Sequence, residues 1–283
     1  MVDFRIQNLY LIGEIGINHN GDIRLAKKLM DAVHACGWHC AKFQKRNPDV
    51  CVPEHQKSIL RQTPWGEMTY LDYKHKIEFG ETEYDIVDSY CREKPIDWTS
   101  SVWDMDSLEF IMNYNPPFIK IASALVTDHE LLTEVCKTNI PIMFSTGMCE
   151  LSEVDAAVDL VSSFTDNFAL MHTNSSYPTP TEELNLSLIP FYKNRYGCPV
   201  GYSGHEYDIE PTVLAYSLGA NIIERHITVS HDLWGTDQKS SLEIKAMDIL
   251  YGRLKNIPLM MGSCNKTVTP SEIEIKKKLR KGD

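Results

Sequence analysis

The sequence predicts an α/β fold, a (β/α)8 TIM barrel forming a single domain with an elaborated loop after its second strand. Three observations carry that prediction. Eight short apolar runs alternate with amphipathic stretches along the chain. Their number suits the length, 283 residues, since a (β/α)8 barrel typically takes about 250. No GxGxxG follows any of the runs, which removes the usual support for the rival, a doubly wound open sheet with a dinucleotide site.

The apolar runs lie at 9–15, 39–43, 96–101, 118–121, 140–144, 168–171, 199–202 and 222–224. Near-continuous apolar runs of this length read as parallel strands covered on both faces. Residues 23–36 place Leu25, Leu29, Ala32, Val33 and Cys36 at i, i+4, i+7, i+8 and i+11, one helical face. The stretches 104–113, 128–137, 151–163 and 211–218 read as further covering helices. The segment 46–80 is too long for a minimal connection and carries Pro48, Pro53, Pro64 and Gly66 among scattered aromatics. It reads as a loop capping one barrel mouth. The core is expected over about residues 8–256 and a helical tail over 257–283, the whole forming one domain. The tail's helix opens at Thr269-Pro270-Ser271-Glu272, a capping-box signal, and runs as a basic amphipathic stretch to Arg280.

Composition narrows the function classes. The chain is 43% hydrophobic, enough for a large core, and Lys+Arg 28 against Asp+Glu 39 gives a net charge of −11. Such a chain is a poor candidate for wrapping nucleic acid or lying on a membrane. An anionic substrate would need a local cluster of cations and N–H donors. No apolar run approaches the roughly 20 residues of a membrane span, and the N-terminus lacks a secretory pattern. The eight cysteines form no CxxC pair. They read as reduced thiols in a cytoplasmic protein rather than a zinc site.

Catalytic residues of such barrels sit at the C-terminal ends of the strands. Those ends hold Glu14, Lys42 with Gln44, Ser101, Lys120 with Ser123, Ser145, the run His172 to Tyr177 with Ser175, Ser203 with His205, and Arg225 with His226. The cations Lys42, Lys120 and Arg225, with the small hydroxyls of Ser101, Ser123, Ser145, Ser175 and Ser203, would suit a phosphate or carboxylate. His205 and His226, on neighbouring strands with Glu14 across the barrel, make a common divalent-metal set. Plainer readings stand beside these. Lys42 and Lys120 could pair with Glu14 or Glu224 as interior salt bridges, and the serines could be strand-end caps. His19 and His172 read as structural, and Trp98, Trp103, Phe110 and Tyr114 as packing. On residues alone, a metal-dependent aldolase or hydrolase remains an alternative, as does a binding scaffold.

Six motifs carry a resemblance. They are Glu14-Ile15-Gly16-Ile17-Asn18-His19-Asn20-Gly21-Asp22, Lys42-Phe43-Gln44, Ile119-Lys120-Ile121-Ala122-Ser123, Ser145-Thr146-Gly147-Met148, Gly201-Tyr202-Ser203-Gly204-His205 and Glu224-Arg225-His226. In order and separation the chain resembles the sialic acid synthase family over roughly residues 10–280. That family joins phosphoenolpyruvate to an aldose to make sialic-acid-type sugar acids, and its catalytic domain is a (β/α)8 barrel. The resemblance implies that Lys42, Gln44, Ser101, Lys120, Ser123, Ser145, Ser175 and Ser203 hold phosphoenolpyruvate. It implies that His205 and His226 hold a divalent metal, Mn2+ first, with Mg2+ or Co2+ as alternatives. Glu14, Tyr177 and Asp237 match positions near the sugar and the reacting carbons. The family's C-terminal antifreeze-like domain is not in this sequence, which stops at Lys281-Gly282-Asp283. Family members pair as dimers partly through that domain, so a homodimer is an open expectation. The segment Trp234-Gly235-Thr236-Asp237-Gln238 also departs from the commoner Gly-Pro-Asp-His.

Overall fold

The computed structural model describes residues 1–281. Gly282 and Asp283, where the expected tail ends, lie outside the described residues. Eight strands form the barrel: β1 Tyr10–Gly16, β2 Cys40–Lys45, β3 Asp97–Val102, β4 Ile119–Ile121, β5 Ile142–Ser145, β6 Phe168–His172, β7 Val200–Gly204 and β8 Ile222–Thr228. Each pairs in parallel with the next, and β8 pairs with β1, Tyr10 opposite Ile222 and Glu14 opposite His226, which closes the ring. A two-residue strand, Leu242–Glu243, extends the sheet beyond β8.

The covering helices are α1 Ile23–Ala35, α2 Glu81–Glu93, α3 Met105–Met112, α4 His129–Lys137, α5 Leu151–Ser162, α6 Leu188–Tyr196, α7 Glu210–Ser217 and α8 Ile244–Met261. Asp22, Asp104 and Asp128 cap α1, α3 and α4 by accepting a first-turn backbone N–H. The main core lies between sheet and helices. A second apolar cluster fills the barrel's lower interior with Val2, Phe4, Tyr10, Ile12, Phe118, Met143 and Met171. The N-terminal segment closes that end: Val2 N–H donates to Pro117 O at 3.0 Å, and Phe4 packs edge-on against Phe118 at 5.5 Å.

The long connection after β2 is built, not slack. It holds two short helices, Pro48–Cys51 and Glu54–Lys57, a hairpin of Leu60–Thr63 with Gly66–Thr69, and a helix Tyr70–Ile77. Lys45 Nζ pins its far end through Glu78 Oε1 at 2.9 Å and Phe79 O at 2.8 Å. Its aromatics Trp65 and Tyr73 reach Trp234 of the connection after β8 at 6.1 and 5.0 Å. The loop therefore arches over the C-terminal mouth, where the sequence expects it. The tail helix spans Pro270–Leu279 with its capping box formed. No helix is long and apolar enough to cross a membrane.

Candidate active site

Strand alternation sends every second side chain into the barrel. In β8 the inward set is Ile222, Glu224, His226 and Thr228, and the outward set includes Ile223, Arg225 and Ile227. Parallel register then sets neighbours. Glu14 lies opposite both Lys42 and His226, Gln44 opposite Ser101, Ser101 opposite Lys120, and Ser203 opposite Glu224. These residues line a cavity of about 200 Å3 at the C-terminal mouth.

Glu14, Lys42, Gln44, Ser101, Lys120, Ser123, Ser145, Ser175, Tyr177, Ser203, His205 and His226 all face this cavity. Asp237 stands behind it, its Oδ2 3.9 Å from His226 Nδ1. Trp103, Met148, Thr173 and Glu224 also line the cavity. Glu224 was legible only as a possible salt-bridge partner. Its in-register place beside Ser203, two residues before His226, is the signal that puts it inside.

The cavity floor is a charge lattice. Lys42 Nζ lies 2.5 Å from Glu14 Oε2 and 3.6 Å from Glu224 Oε1. Lys120 Nζ donates to both Glu224 oxygens at 3.2 and 3.3 Å, and Ser203 Oγ donates to Glu224 Oε1 at 3.1 Å. Gln44 Nε2 donates to Glu14 Oε1 at 2.9 Å. The interior salt bridges foreseen for the lysines are therefore present. Burial pushes Glu14 up to about 7, with Lys42 offsetting only part of that. Burial also acts to raise Glu224, but Lys120 and Lys42 together outweigh it and hold Glu224 down at about 2. Burial lowers Lys120, whereas Glu14 and Glu224 overcome the same effect at Lys42 and raise it.

One wall supplies hydroxyls. Ser123 Oγ accepts from Gly147 N–H at 3.0 Å, and Ser101 Oγ accepts from Trp103 Nε1 at 3.1 Å. Ser145 Oγ is buried without a hydrogen-bond partner, a donor that a ligand oxygen would satisfy. Gly147 is required here. A Cβ at that position would overlap Ser175 Oγ and come within 2.9 Å of Ser123 Oγ.

The opposite wall holds the imidazoles. His205 and His226 ring centroids are 5.5 Å apart. His205 Nδ1 donates to Asn174 O at 2.6 Å, which leaves Nε2 as the acceptor facing Tyr177 OH at 2.9 Å. His226 Nδ1 is buried without a partner. Burial lowers His205 to about 3 and His226 to about 4, so both are neutral at physiological pH, as metal ligation requires. The described residues contain no cluster of three or more His, Cys, Asp or Glu side chains arranged around one metal position. Two neutral imidazoles, one with an orphaned nitrogen, nevertheless suit a divalent ion completed by substrate and water oxygens.

Arg225 requires a correction. It does not join the cation ring but points outward between barrel and helices, fully buried. Its Nη1 donates to Glu206 Oε1 at 2.8 Å, Thr212 Oγ1 at 2.8 Å and Asp208 O at 3.1 Å, and its Nη2 donates to Glu206 O. Tyr202 OH donates to the other Glu206 oxygen at 2.7 Å. This network fixes the chain just after His205. His19 and His172 are structural as read: His19 stacks on Phe79 at 3.8 Å, and His172 bonds Leu184 O at 2.7 Å. Trp98, Phe110 and Tyr114 pack around Tyr84, but Trp103 leaves that stripe and enters the cavity wall.

The profile of the NeuB family matches residues 29–266. The N-acetylneuraminate-9-phosphate synthase of Drosophila melanogaster is 35% identical over 258 residues, covering 90% of this chain and 69% of that protein. The N,N'-diacetyllegionaminic acid synthase of Legionella pneumophila is 29% identical over 283 residues, covering 96% and 78%. Among solved structures, the N-acetylneuraminic acid synthetase of Leptospira borgpetersenii superposes with a TM-score of 0.84 at 29% identity, covering 97% of this chain and 93% of that one.

Proposed function

The chain belongs to the NeuB family of sugar acid synthases, and we propose that it condenses phosphoenolpyruvate with an aldose of the N-acetylmannosamine type. The product is a sialic-acid-type 2-keto-3-deoxy sugar acid, with phosphate released. One observation carries the reading: a floor of buried lysines and a wall of serines, including the orphaned Ser145 hydroxyl, face two neutral imidazoles across one small cavity.

Lys42 and Lys120 bind the carboxylate and phosphate of the donor, and Ser101, Ser123, Ser145, Ser175 and Ser203 add hydrogen bonds to its oxygens. This clamp holds the enol carbon against the aldehyde, and orientation of that kind can remove several kcal/mol from a barrier. A carbon–carbon bond forms between donor C3 and the aldehyde carbon, water adds at donor C2, and phosphate departs. Glu14, raised to about 7, can hold or release a proton at neutral pH beside that water or the new hydroxyl. Asp237 is a second proton carrier next to His226, and Tyr177 OH caps His205 Nε2, the nitrogen an ion would take in its place. Family members are generally metal-dependent. His205 and His226 would hold the ion, which we take to be manganese, and when bound it would polarise the aldehyde oxygen as a Lewis acid.

The deciding experiment is an aldose panel with phosphoenolpyruvate and Mn2+, followed by phosphate release and product mass. Phosphate released only when both substrates are present supports the synthase; release from either alone supports a hydrolase and overturns it. His205→Ala and His226→Ala are each expected to remove most of the bound metal and nearly abolish turnover. Metal content by mass spectrometry checks this, and full activity of chelated His226→Ala enzyme refutes it. All eight cysteines are free, which supports a reducing, cytoplasmic setting. The same reading includes a homodimer, supported by exposed Leu259, Met260, Met261 and Leu279 and checked by light-scattering mass.

A further inference from the structure

The arched loop encloses a second cavity, about 280 Å3, against the first, and the Trp103 ring is a wall of both. Two cations, Arg46 and Lys74, line it, and a third, the exposed Arg61, stands against the Tyr70 ring of its wall. The Arg46 guanidinium lies over Trp103, 3.9 Å from the ring centroid, with Nη2 donating to Gln44 Oε1 and Nε buried without a partner. Lys74 Nζ lies 5.2 and 5.4 Å from the Tyr70 and Tyr73 centroids. Arg61 stacks on Tyr70 at 4.0 Å, so that ring is flanked by two cations. Among the described residues, no carboxylate forms an ion pair with Arg46, Arg61 or Lys74. Glu78, the acid in the cavity wall, already accepts from Lys45 Nζ at 2.9 Å and from Arg46 N–H at 3.0 Å.

Convergent like charges repel one another, and Asp237 and Glu78 offset only part of this at Lys74, so the cavity favours a guest of opposite sign. Lys74 records this: burial, and next the charge of Arg46, push it down to about 8. The subsite is coupled to the reaction floor by contact, because Gln44 touches Arg46 on one side and Glu14 on the other. The two cavities share the Trp103 wall, so an acceptor seated at the imidazoles borders on the loop cavity.

We propose that this cavity is a phosphate subsite and that the acceptor is an aldose phosphorylated at the end remote from its aldehyde. The inference rests on the synthase reading and narrows it. The relatives include synthases named for a 9-phosphorylated acid and for an unphosphorylated one, so family membership leaves the choice open. Arg46 and Lys74, with Arg61 adding charge from behind Tyr70, match a phosphate dianion better than a single carboxylate, and the planar Arg46 guanidinium suits its oxygens.

The test compares two acceptors alike except for the phosphate, N-acetylmannosamine and its 6-phosphate, each with phosphoenolpyruvate and Mn2+. Wild-type enzyme is expected to favour the phosphorylated sugar by at least about 10-fold in kcat/KM. In Lys74→Gln that ratio should fall about 10-fold through the KM of the phosphorylated sugar, and in Arg61→Gln it should fall by less, in the same direction. Arg61 is exposed, so its variant guards against misfolding as the cause. Inorganic phosphate should compete with the acceptor in the wild type. A wild-type ratio at or below one, or a ratio unmoved by both substitutions, overturns the subsite while leaving the synthase standing. Phosphate release with neither sugar overturns both.

Discussion

At Glu14, burial and a neighbouring ammonium pull in opposite directions, and burial wins. The outcome is a carboxyl poised near neutrality in the cavity that the proposed reaction uses, so Glu14→Gln should keep donor affinity and lower kcat by about 10^2- to 10^4-fold. Steady-state kinetics with a separate donor titration checks this, and unchanged kcat removes Glu14 from the chemistry. Lys74 is the converse case. Its value in the fold, about 8, lies below the ordinary 10.5. Its charge therefore destabilises the fold fully below pH 8, and the penalty fades as pH rises towards 10.5. Lys74→Met should accordingly be more stable than wild type at pH 7 by about 1–3 kcal/mol. That advantage should shrink by pH 10, as thermal unfolding at both pH values would show. A residue that weakens its own fold while charged is the signature expected of a binding group.

Within the strand β8 the two-residue period decides everything. The triplet Glu224-Arg225-His226 looks like one reactive cluster in sequence, and reading it so places Arg225 in the ring. Alternation instead sends Glu224 and His226 inward and gives Arg225 to the chain after His205. Arg225→Met would strand the buried Glu206 carboxylate and should cost about 3–5 kcal/mol. Thermal unfolding tests this, and a shift of under a degree would show that the network is dispensable. The strands were otherwise readable within one or two residues, except that β8 runs on to Thr228, because buried parallel strands are continuous apolar runs. Helix α1 was equally plain. Periodicity alone does not pick out α6, where Pro190 and exposed Phe191 blur the apolar stripe. The loop cavity was invisible in sequence because Arg46 and Lys74 come from opposite ends of the loop and meet only once it folds.

Across the whole molecule, the two ends of the barrel divide the labour. The mouth carries the ionisable cavity, and the base carries the apolar plug of Val2 and Phe4. Phe4→Ala should lose about 3–5 kcal/mol and leave both KM values unchanged wherever the protein stays folded. Changed KM values would mean that the ends are coupled. Strand-end chemistry was legible because a barrel has one working rim. The plug was not, because a short segment before the first apolar run carries no period to read. The chain's charge of −11 argues against nucleic acid but does not bar a small anion, since the local cations at the rim set the field that such a ligand meets.

The floor has a further consequence for selectivity. Lys42 and Lys120 are not idle in the resting enzyme, because Glu14 and Glu224 already occupy them. An incoming anion shares these lysines with the resident carboxylates and has to offset their repulsion by its attraction to the ammonium groups. A guest with charge at both of its ends meets both ammonium groups at once, whereas a monoanion meets one. The resident carboxylates thus set a threshold that favours a doubly anchored donor over its singly charged look-alikes.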